Sequence, residues 1–323
     1  MFFCTLFNSK YLAKGILTIQ SLLTVCPDAV IYVLALDEQT RLLLNDFDGQ
    51  RVIIVSLSEF ETEELLEIKQ RRTVTEYCWT CGSVFCFYCI TTFSLSHCIY
   101  IDADLFFFAS PELLLRDSSQ FDVMITSHRY SDGYDLSQTS GKYCVQFVYF
   151  KNTDNGMRVL SWWKDACLNW CYNRMEEGKF GDQKYLDDWP ERFNGVYVME
   201  HEGGGVAPWN IQQYQVKNCP ELTIHNKRTG DSFPLVFYHF HHLNNYRLNS
   251  SNEFRIGPYP IPHEAFSLIY KPYIKKLISI YHTYATDCFD PLGSKKIELS
   301  SFHYLLHRVK TALIKQDKYP WPI

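Results

Sequence analysis

The apolar positions of this chain follow two rhythms that alternate through its N-terminal part. Residues 2–7 are a short apolar run that fits a buried strand. From Ser9 to Val25 the apolar residues Ile16, Ile19, Leu22 and Leu23 recur at helical spacing, with Pro27 beyond the end. Ala29–Leu36 reads as a second buried strand, Leu42–Asp46 as part of a helix, and Arg51–Val55 as a third strand. Ser58–Lys69 reads as a helix opened by a capping box, Ser58 with Glu61. This β-α-β-α-β order predicts an α/β fold, a parallel sheet with helices on its faces.

The pattern then carries chemistry into the sheet. Glu76–Phe93 is a mostly apolar helix, and Cys98–Ile101 a strand that runs straight into Asp102-Ala103-Asp104. Ser110-Pro111-Glu112 opens a helix, Gly141–Lys151 is a strand, and Asn152–Glu177 is a long helix stopped by Gly178. Further on, Val196–Met199, Gln212–Val216 and Leu222–His225 read as short strands, and residues 227–231 as a turn into a strand Phe233–Phe240. Asn244–Pro262 is rich in Asn, Ser, Gly and Pro and reads as a linker, followed by helical segments at about 263–286 and 295–316.

Composition narrows the class. With 323 residues, 46% of them hydrophobic, the chain can bury a sizeable core. A net charge of −5 gives no global case for nucleic-acid binding. The N-terminus lacks the basic and long apolar regions of a signal peptide, and no apolar run is long enough to span a membrane. Twelve cysteines without a secretory signal point to free thiols in a reducing cytoplasm. Cys78-x-x-Cys81 and Cys86-x-x-Cys89 imitate a four-thiolate metal site, but only four residues part the pairs, too short a loop, so core packing is expected of them.

Four clusters hold the candidate chemistry. Asp102 and Asp104, at the end of a buried strand, are expensive unless a cation meets them. The carboxyl end of a parallel strand is also where open α/β sheets bind ligands, and Mg²⁺ or Mn²⁺ on oxygen ligands would anchor a diphosphate there. The plainer reading is an Asp pair capping a turn. Phe237–His242 offers His239, and on its strand face His241, as a nitrogen ligand for the same ion, with His242 pointing away. Asp182 and Gln183 lie at the start of a short helix, where an N-cap role competes with ligand binding. Gly203-Gly204-Gly205 permits close backbone approach and is no P-loop, since no Gly-Lys-Ser/Thr follows.

In this order the pieces resemble the GT-A fold glycosyltransferases, in particular those related to glycosyltransferase family eight and found with bacterial surface-polysaccharide synthesis. The resemblance covers most of residues 1–245. It is carried by the N-terminal strand and helix, Thr75–Cys81, Tyr100–Asp104, Phe180–Leu186, Gly204–Asn210 and the His239 strand. It implies a Rossmann-like, mixed but mainly parallel sheet flanked by helices, with a donor half at about 1–110 and an acceptor half at about 111–245. Residues 246–323 would be a linker and a helical C-terminal extension. It implies that Asp102 and Asp104, with Ala103 between them, hold Mn²⁺ or Mg²⁺ against the donor diphosphate, and that His239 completes the metal site. Thr5, Asn8 and Tyr11 would bind the base and ribose of a nucleotide-sugar, a UDP-sugar by the family's expectation, while Asp182 and Gln183 would face the transferred sugar.

Three departures from the family stand in the sequence. Its Asn-x-Gly on the mid-chain strand is Cys144-Val145-Gln146 here. The Gly that follows the late His by three positions is His242, and the Lys-Pro-Trp beyond it is absent, so that the diphosphate contacts of that loop either come from Arg247 or are lost. The activity implied is transfer of a sugar, with retention, to a glycan or lipid-linked acceptor, in the cytoplasm. A basic, aromatic-rich C-terminal segment adds the expectation of a peripheral membrane contact at the inner membrane face. The rivals are a phosphatase of the haloacid dehalogenase type, disfavoured by the late position of its Asp-x-Asp, and a non-catalytic nucleotide- or sugar-binding protein on the same fold.

Overall fold

The structure, a computed structural model, describes residues 1–297 apart from Asp48, Asp117, Cys219, Asn249 and Ser250, together with residues 318–321. Its strands are β1 (Phe2–Phe7), β2 (Val30–Ala35), β3 (Val52–Ser56), β4 (His97–Ile101), β5 (Leu105–Phe107), β6 (Val123–Ser127), β7 (Tyr143–Lys151) and β8 (Val196–Val198). They continue with β9 (Tyr214–Asn218), β10 (Leu222–Asn226), β11 (Ser232–Pro234), β12 (Phe237–His239), β13 (Asn244–Leu248), β14 (Ser251–Arg255), β15 (Lys295–Ile297) and β16 (Lys318–Trp321).

Seven strands form the central sheet in the order β3-β2-β1-β4-β7-β6-β8. β3, β2, β1 and β4 are mutually parallel, as the βα alternation predicts. β7 runs antiparallel to both β4 and β6, and β8 returns parallel to β6. The fold is thus a mixed, mainly parallel sheet flanked by helices. β1 shows why its sequence reads as one apolar run. Phe3 and Phe7 pack with the Leu12–Val25 helix on one face, while Cys4 and Leu6 pack with the Val74–Thr92 helix on the other.

Several element boundaries move for local reasons. The capping box sits at Ser56 and Glu59 rather than Ser58 and Glu61, opening a short Leu57–Phe60 helix; Thr62 then caps a separate Glu63–Lys69 helix. Thr73 and Glu76 form a second capping box, so the apolar helix begins at Val74. The helix expected over Asn152–Glu177 is Asp154–Asn169, and Arg72 reaches across to bind the carbonyls of Cys167 and Leu168 in its last turn. Gly178 has φ +76 in a tight turn well past that end. The single strand expected over Phe233–Phe240 is two strands in two sheets, β11 beside β10 and β12 beside β5. Asn244–Pro262, expected as a linker, carries the β13–β14 hairpin, and a strand stands at Lys295–Ile297 where a helix was expected. Residues 298–316 of that expected helix lie outside the described residues.

Every cysteine among the described residues is a free thiol, and both Cys-x-x-Cys pairs lie on the Val74–Thr92 helix. Burial pushes the Cys4, Cys86 and Cys89 thiols up, so they stay protonated and serve as small apolar packing groups.

The helical segment from His263 to Tyr284 packs on the same core as β1 and β5. The Tyr273 ring stacks on Phe240 at 3.6 Å between centroids, and the Tyr238 and Tyr270 hydroxyls meet at 2.9 Å. Tyr273, Ile274 and Leu277 are thereby buried, so the apolar face of Lys271–Tyr284 packs against protein. Among the described residues no helix is long and apolar enough to cross a membrane.

Tyr273→Ala should destabilise the chain by about 3 kcal/mol or more, whereas Tyr273→Phe should cost little because the buried Tyr273 hydroxyl finds no partner. Urea unfolding checks both. Unfolding of the alanine variant should remain a single transition, since the helix shares the main core.

Candidate active site

The site is assembled by backbone pairing before any side chain acts. β4 ends at Ile101 and delivers Asp102 to the carboxyl edge of the sheet, where the Asp102 N–H donates to the Gln146 carbonyl of β7 at 3.1 Å. From the first helix, Thr18 Oγ1 lies 2.8 Å from the Ala103 carbonyl oxygen and 2.7 Å from that of Leu105. β5 then pairs antiparallel with β12 in a register that sets His239 opposite Leu105. The Phe240 N–H donates to the Asp104 carbonyl at 2.9 Å and locks that register.

The side chains of Asp102, Asp104 and His239 therefore converge, with one ligand atom from each within 4.8 Å of the others. His239 Nε2 is 3.0 Å from Asp104 Oδ1 and 3.7 Å from Asp102 Oδ2. Two carboxylate oxygens and an imidazole nitrogen suit a hard or borderline divalent cation. The 3.0 Å separation is close to the edge of an octahedron with ligands at about 2.1 Å. The residues present therefore fit Mn²⁺ or Mg²⁺.

The two carboxylates titrate in opposite directions. Burial opposes the charge of Asp104, but His239 and Lys14 outweigh it and hold that carboxyl well below the usual range. Burial pushes Asp102 up to about 6, with His239 pulling it down and Asp104 pushing it up. Burial likewise opposes a charge on His239, yet Asp104 and Asp102 together raise it. His241 has no such partner; burial, then the charges of His239 and His242, bring it down to about 3.

Asp182 joins the same neighbourhood. It is 4% exposed, its carbonyl accepts from Trp163 Nε1 at 2.9 Å, and the loop before it packs on Trp79. Burial, then the charge of Asp102, push its carboxyl up to about 8. Gln183 begins a 3-10 turn, Lys184–Asp188, without capping it, and its amide donates to the Ser140 carbonyl at 2.8 Å. Thr5, at the same sheet edge, is fully buried with no partner for its hydroxyl among the described residues. Asn8 caps a short turn, accepting from the Lys10 N–H, and the Tyr11 ring stands 46% exposed. Arg247 lies on β13, with its guanidinium donating to the Tyr281 hydroxyl at 2.8 Å.

The triple glycine serves packing. A Cβ on Gly203 would sit 1.9 Å from the Pro234 carbonyl oxygen, and one on Gly205, whose φ is +93, 2.6 Å from Thr126. The stretch behind it matters more for the site. Trp209 Nε1 donates to the His128 carbonyl, and the Trp209 ring stands 5.4 Å from both His239 and His241.

Two residues were not foreseen from sequence. Gln146 is fully buried and its Oε1 lies 2.7 Å from His239 Nδ1. That contact places the proton on Nδ1 and leaves Nε2 to face Asp104. Lys14 reaches from the first helix to within 3.5 Å of Asp104 Oδ2. The Gln146 signal was present as a departure from Asn-x-Gly; Lys14 had none, being one lysine on an amphipathic helix.

No family model matches the chain. It is 32% identical over 285 residues to YfnD of Bacillus subtilis (strain 168), covering 85% of this chain and 88% of that protein. It is 33% identical over 261 residues to YfnF of the same organism, covering 78% of this chain and 84% of that one. The chain belongs to the family of YfnD and YfnF, both described only as uncharacterized proteins. Among solved structures it is similar to the galactosyltransferase LgtC in complex with donor and acceptor sugar analogues, at 13% identity and a TM-score of 0.49 over 86% of this chain and 96% of that one. It is also similar to the glycosyltransferase GlyE of Streptococcus pneumoniae TIGR4, at 13% identity and a TM-score of 0.42, over 64% of this chain and 46% of that one. Likeness at this level does not extend to activity.

The folded chain keeps the Asp182 proton to about pH 8, whereas an unfolded aspartate releases it near about pH 4. Between those values the folded state binds more protons, so stability falls as pH rises, with a slope of up to about 1.4 kcal/mol per pH unit. Asp182→Asn should remove that contribution and be the more stable protein at pH 8; equal pH dependence of denaturant unfolding in the two proteins would contradict it. Gln146→Leu frees His239 to take either tautomer. It should weaken Mn²⁺ binding roughly 10–100-fold and cost about 1–3 kcal/mol of stability, because the buried His239 Nδ1–H loses its acceptor. Metal titration by calorimetry, with a thermal melt, measures both.

Proposed function

We propose that the chain is a metal-dependent glycosyltransferase that takes a sugar from a nucleotide-diphospho-sugar, a UDP-sugar by the resemblance, and transfers it to a glycan or lipid-linked acceptor. The observation that carries this reading is the convergence of Asp102, Asp104 and His239 at the carboxyl end of a parallel strand, with the proton-retaining Asp182 close to Asp102. Asp102, Asp104 and His239 would hold Mn²⁺ or Mg²⁺, which when bound supplies Lewis acidity to the departing diphosphate.

The chain's own residues do the remaining work. Gln146 fixes the His239 ring, and the Trp209 ring packs edge-on against it. By the resemblance Thr5, Asn8 and Tyr11 would bind the base and ribose, with the Tyr11 ring exposed to meet them. Arg247 already donates to the Tyr281 hydroxyl and would offer its remaining N–H groups to a phosphate. A carboxyl that stays neutral to about pH 8 donates a hydrogen bond to a sugar hydroxyl more readily than it attacks carbon. Asp182 is therefore assigned to orienting the sugar, and retention to attack from the leaving-group face. The surface-polysaccharide setting is carried by the resemblance.

The test is donor turnover. The purified chain with Mn²⁺ and a panel of UDP-sugars should release UDP and free sugar slowly even without acceptor. Asp104→Asn and His239→Ala should cut that release roughly 100-fold or more. Nucleotide binding with no sugar release from any donor would instead identify a binding protein, and no metal-dependent nucleotide binding would remove the site as drawn.

A further inference from the structure

We infer that Lys14 is the cation that receives the donor diphosphate, and that it forces metal and nucleotide to bind as a pair; this rests on the glycosyltransferase reading of the same site. Lys14 is in the first turn of the Leu12–Val25 helix. Thr18, one turn later on the same face, meets the Ala103 and Leu105 carbonyls, so this face of the helix lies against the Asp102–Asp104 loop. The Lys14 amine is 3.5 Å from Asp104 Oδ2 and 4.7 Å from the centre of the Tyr11 ring, on a side chain only 16% exposed.

Its surroundings are otherwise poor in negative charge. Among the described residues Asp104 is its one carboxylate partner, and Asp104 is shared with His239 at 3.0 Å. The other titratable groups whose fields reach it are Tyr11, His241, His242 and Lys295, none of them an anion at neutral pH. A divalent ion on Asp104 would therefore take away the only counter-charge of Lys14. The ammonium would be left mostly out of water beside an ion of its own sign, which is unfavourable at low dielectric. An anion with several oxygens, able to meet the ion and the ammonium together, reverses the sign. A nucleoside diphosphate has that chemistry.

A departure of this sequence and a contact of the structure give the lysine its task. The Lys-Pro-Trp expected beyond His239 is absent, and Arg247, first in line to replace it, is bound to Tyr281. Lys14 brings a positive charge to Asp104 from a different element. The arrangement is reciprocal: nucleotide raises metal affinity by the factor by which metal raises nucleotide affinity.

Calorimetry on the full chain tests this, titrating Mn²⁺ alone, UDP alone, and UDP in the presence of Mn²⁺ into the parent, Lys14→Met and Lys14→Arg, with a thermal melt of each. The methionine variant should bind Mn²⁺ alone at least as tightly as the parent, because a competing cation is gone. The same variant should bind UDP with Mn²⁺ roughly 10–100-fold more weakly, and the arginine variant should recover much of that loss. Opposite movement of the two affinities is the signature. If metal and UDP binding weaken together in Lys14→Met, the lysine is structural and the proposal falls. If UDP binding with Mn²⁺ is unchanged in Lys14→Met, it falls as well. Absence of Mn²⁺ and UDP binding in the parent itself would overturn the glycosyltransferase reading, and the pairing role with it. If the methionine variant melts far below the parent, the comparison of parent with Lys14→Arg decides. Kept metal–nucleotide coupling supports the role, and coupling lost with charge retained overturns it.

Discussion

The whole site hangs on the antiparallel pairing of two three-residue strands, β5 and β12. So short a ladder has little stability of its own, and its side chains must hold it. Phe237 stacks on Phe147 and leans on Phe107, while Ser21 from the first helix accepts the Phe107 N–H. On the far side Tyr273 of the C-terminal helix lies flat on Phe240 and edge-on to Phe106. Because side chains alternate along a strand, a slip of one residue would put Tyr238 or Phe240 where His239 stands and turn the imidazole into the core. The N-terminal and C-terminal helices, far apart in sequence, thus act on the chemistry through one register.

Within that frame the charges are arranged unequally. Asp104 receives both His239 and Lys14 and is held ionised; Asp102, one residue away, keeps 24% of its side chain open and is left to burial. Two carboxylates in one small volume would repel if both were charged and unpartnered. The imidazole and the ammonium remove that penalty while nothing is bound, and both cations face the same oxygen-bearing residue. Ligand binding is then an exchange of partners rather than the creation of charge in a dry site. The carboxyl of Asp182 extends the same logic, since burial and the charge of Asp102 keep it neutral and so only one of the two carries charge.

Much of this was legible in the sequence, and the remainder has a physical reason for being hidden. The parallel half of the sheet followed from apolar runs alternating with helical periodicity, because those periods report burial directly. Asp102, Asp104 and His239 stood out since buried carboxylates and a strand-end imidazole need explaining. What periodicity does not encode is register. Nothing local says that Phe237–His239 pairs with Leu105–Phe107 while Ser232–Pro234 goes to another sheet, and so one strand was expected where two occur. Loop composition misled over Asn244–Arg255, where polar residues form a hairpin whose ladder is satisfied by backbone groups. The glycine run misled differently: its open backbone admits Pro234, Met199 and Thr126, neighbours that only folding identifies.

The departures from the resembled family also make sense together. At the Gly position of its Asn-x-Gly stands Gln146, whose amide reaches the His239 ring nitrogen. Where the family has a glycine three residues past that histidine, His242 adopts φ +58, the left-handed conformation that glycine takes without strain. A non-glycine residue there costs roughly 1 kcal/mol, and crowding could have made it worse. The facing residue is Gly257, where any Cβ would come within 2.7 Å of the Cβ of His242. A glycine displaced from one side of the contact thus reappears on the other, carried by the β14 end of the hairpin that sequence composition had marked as linker. The turn after His239 thus has room for a left-handed His242, and that turn follows directly on the strand that carries the imidazole of the proposed metal site.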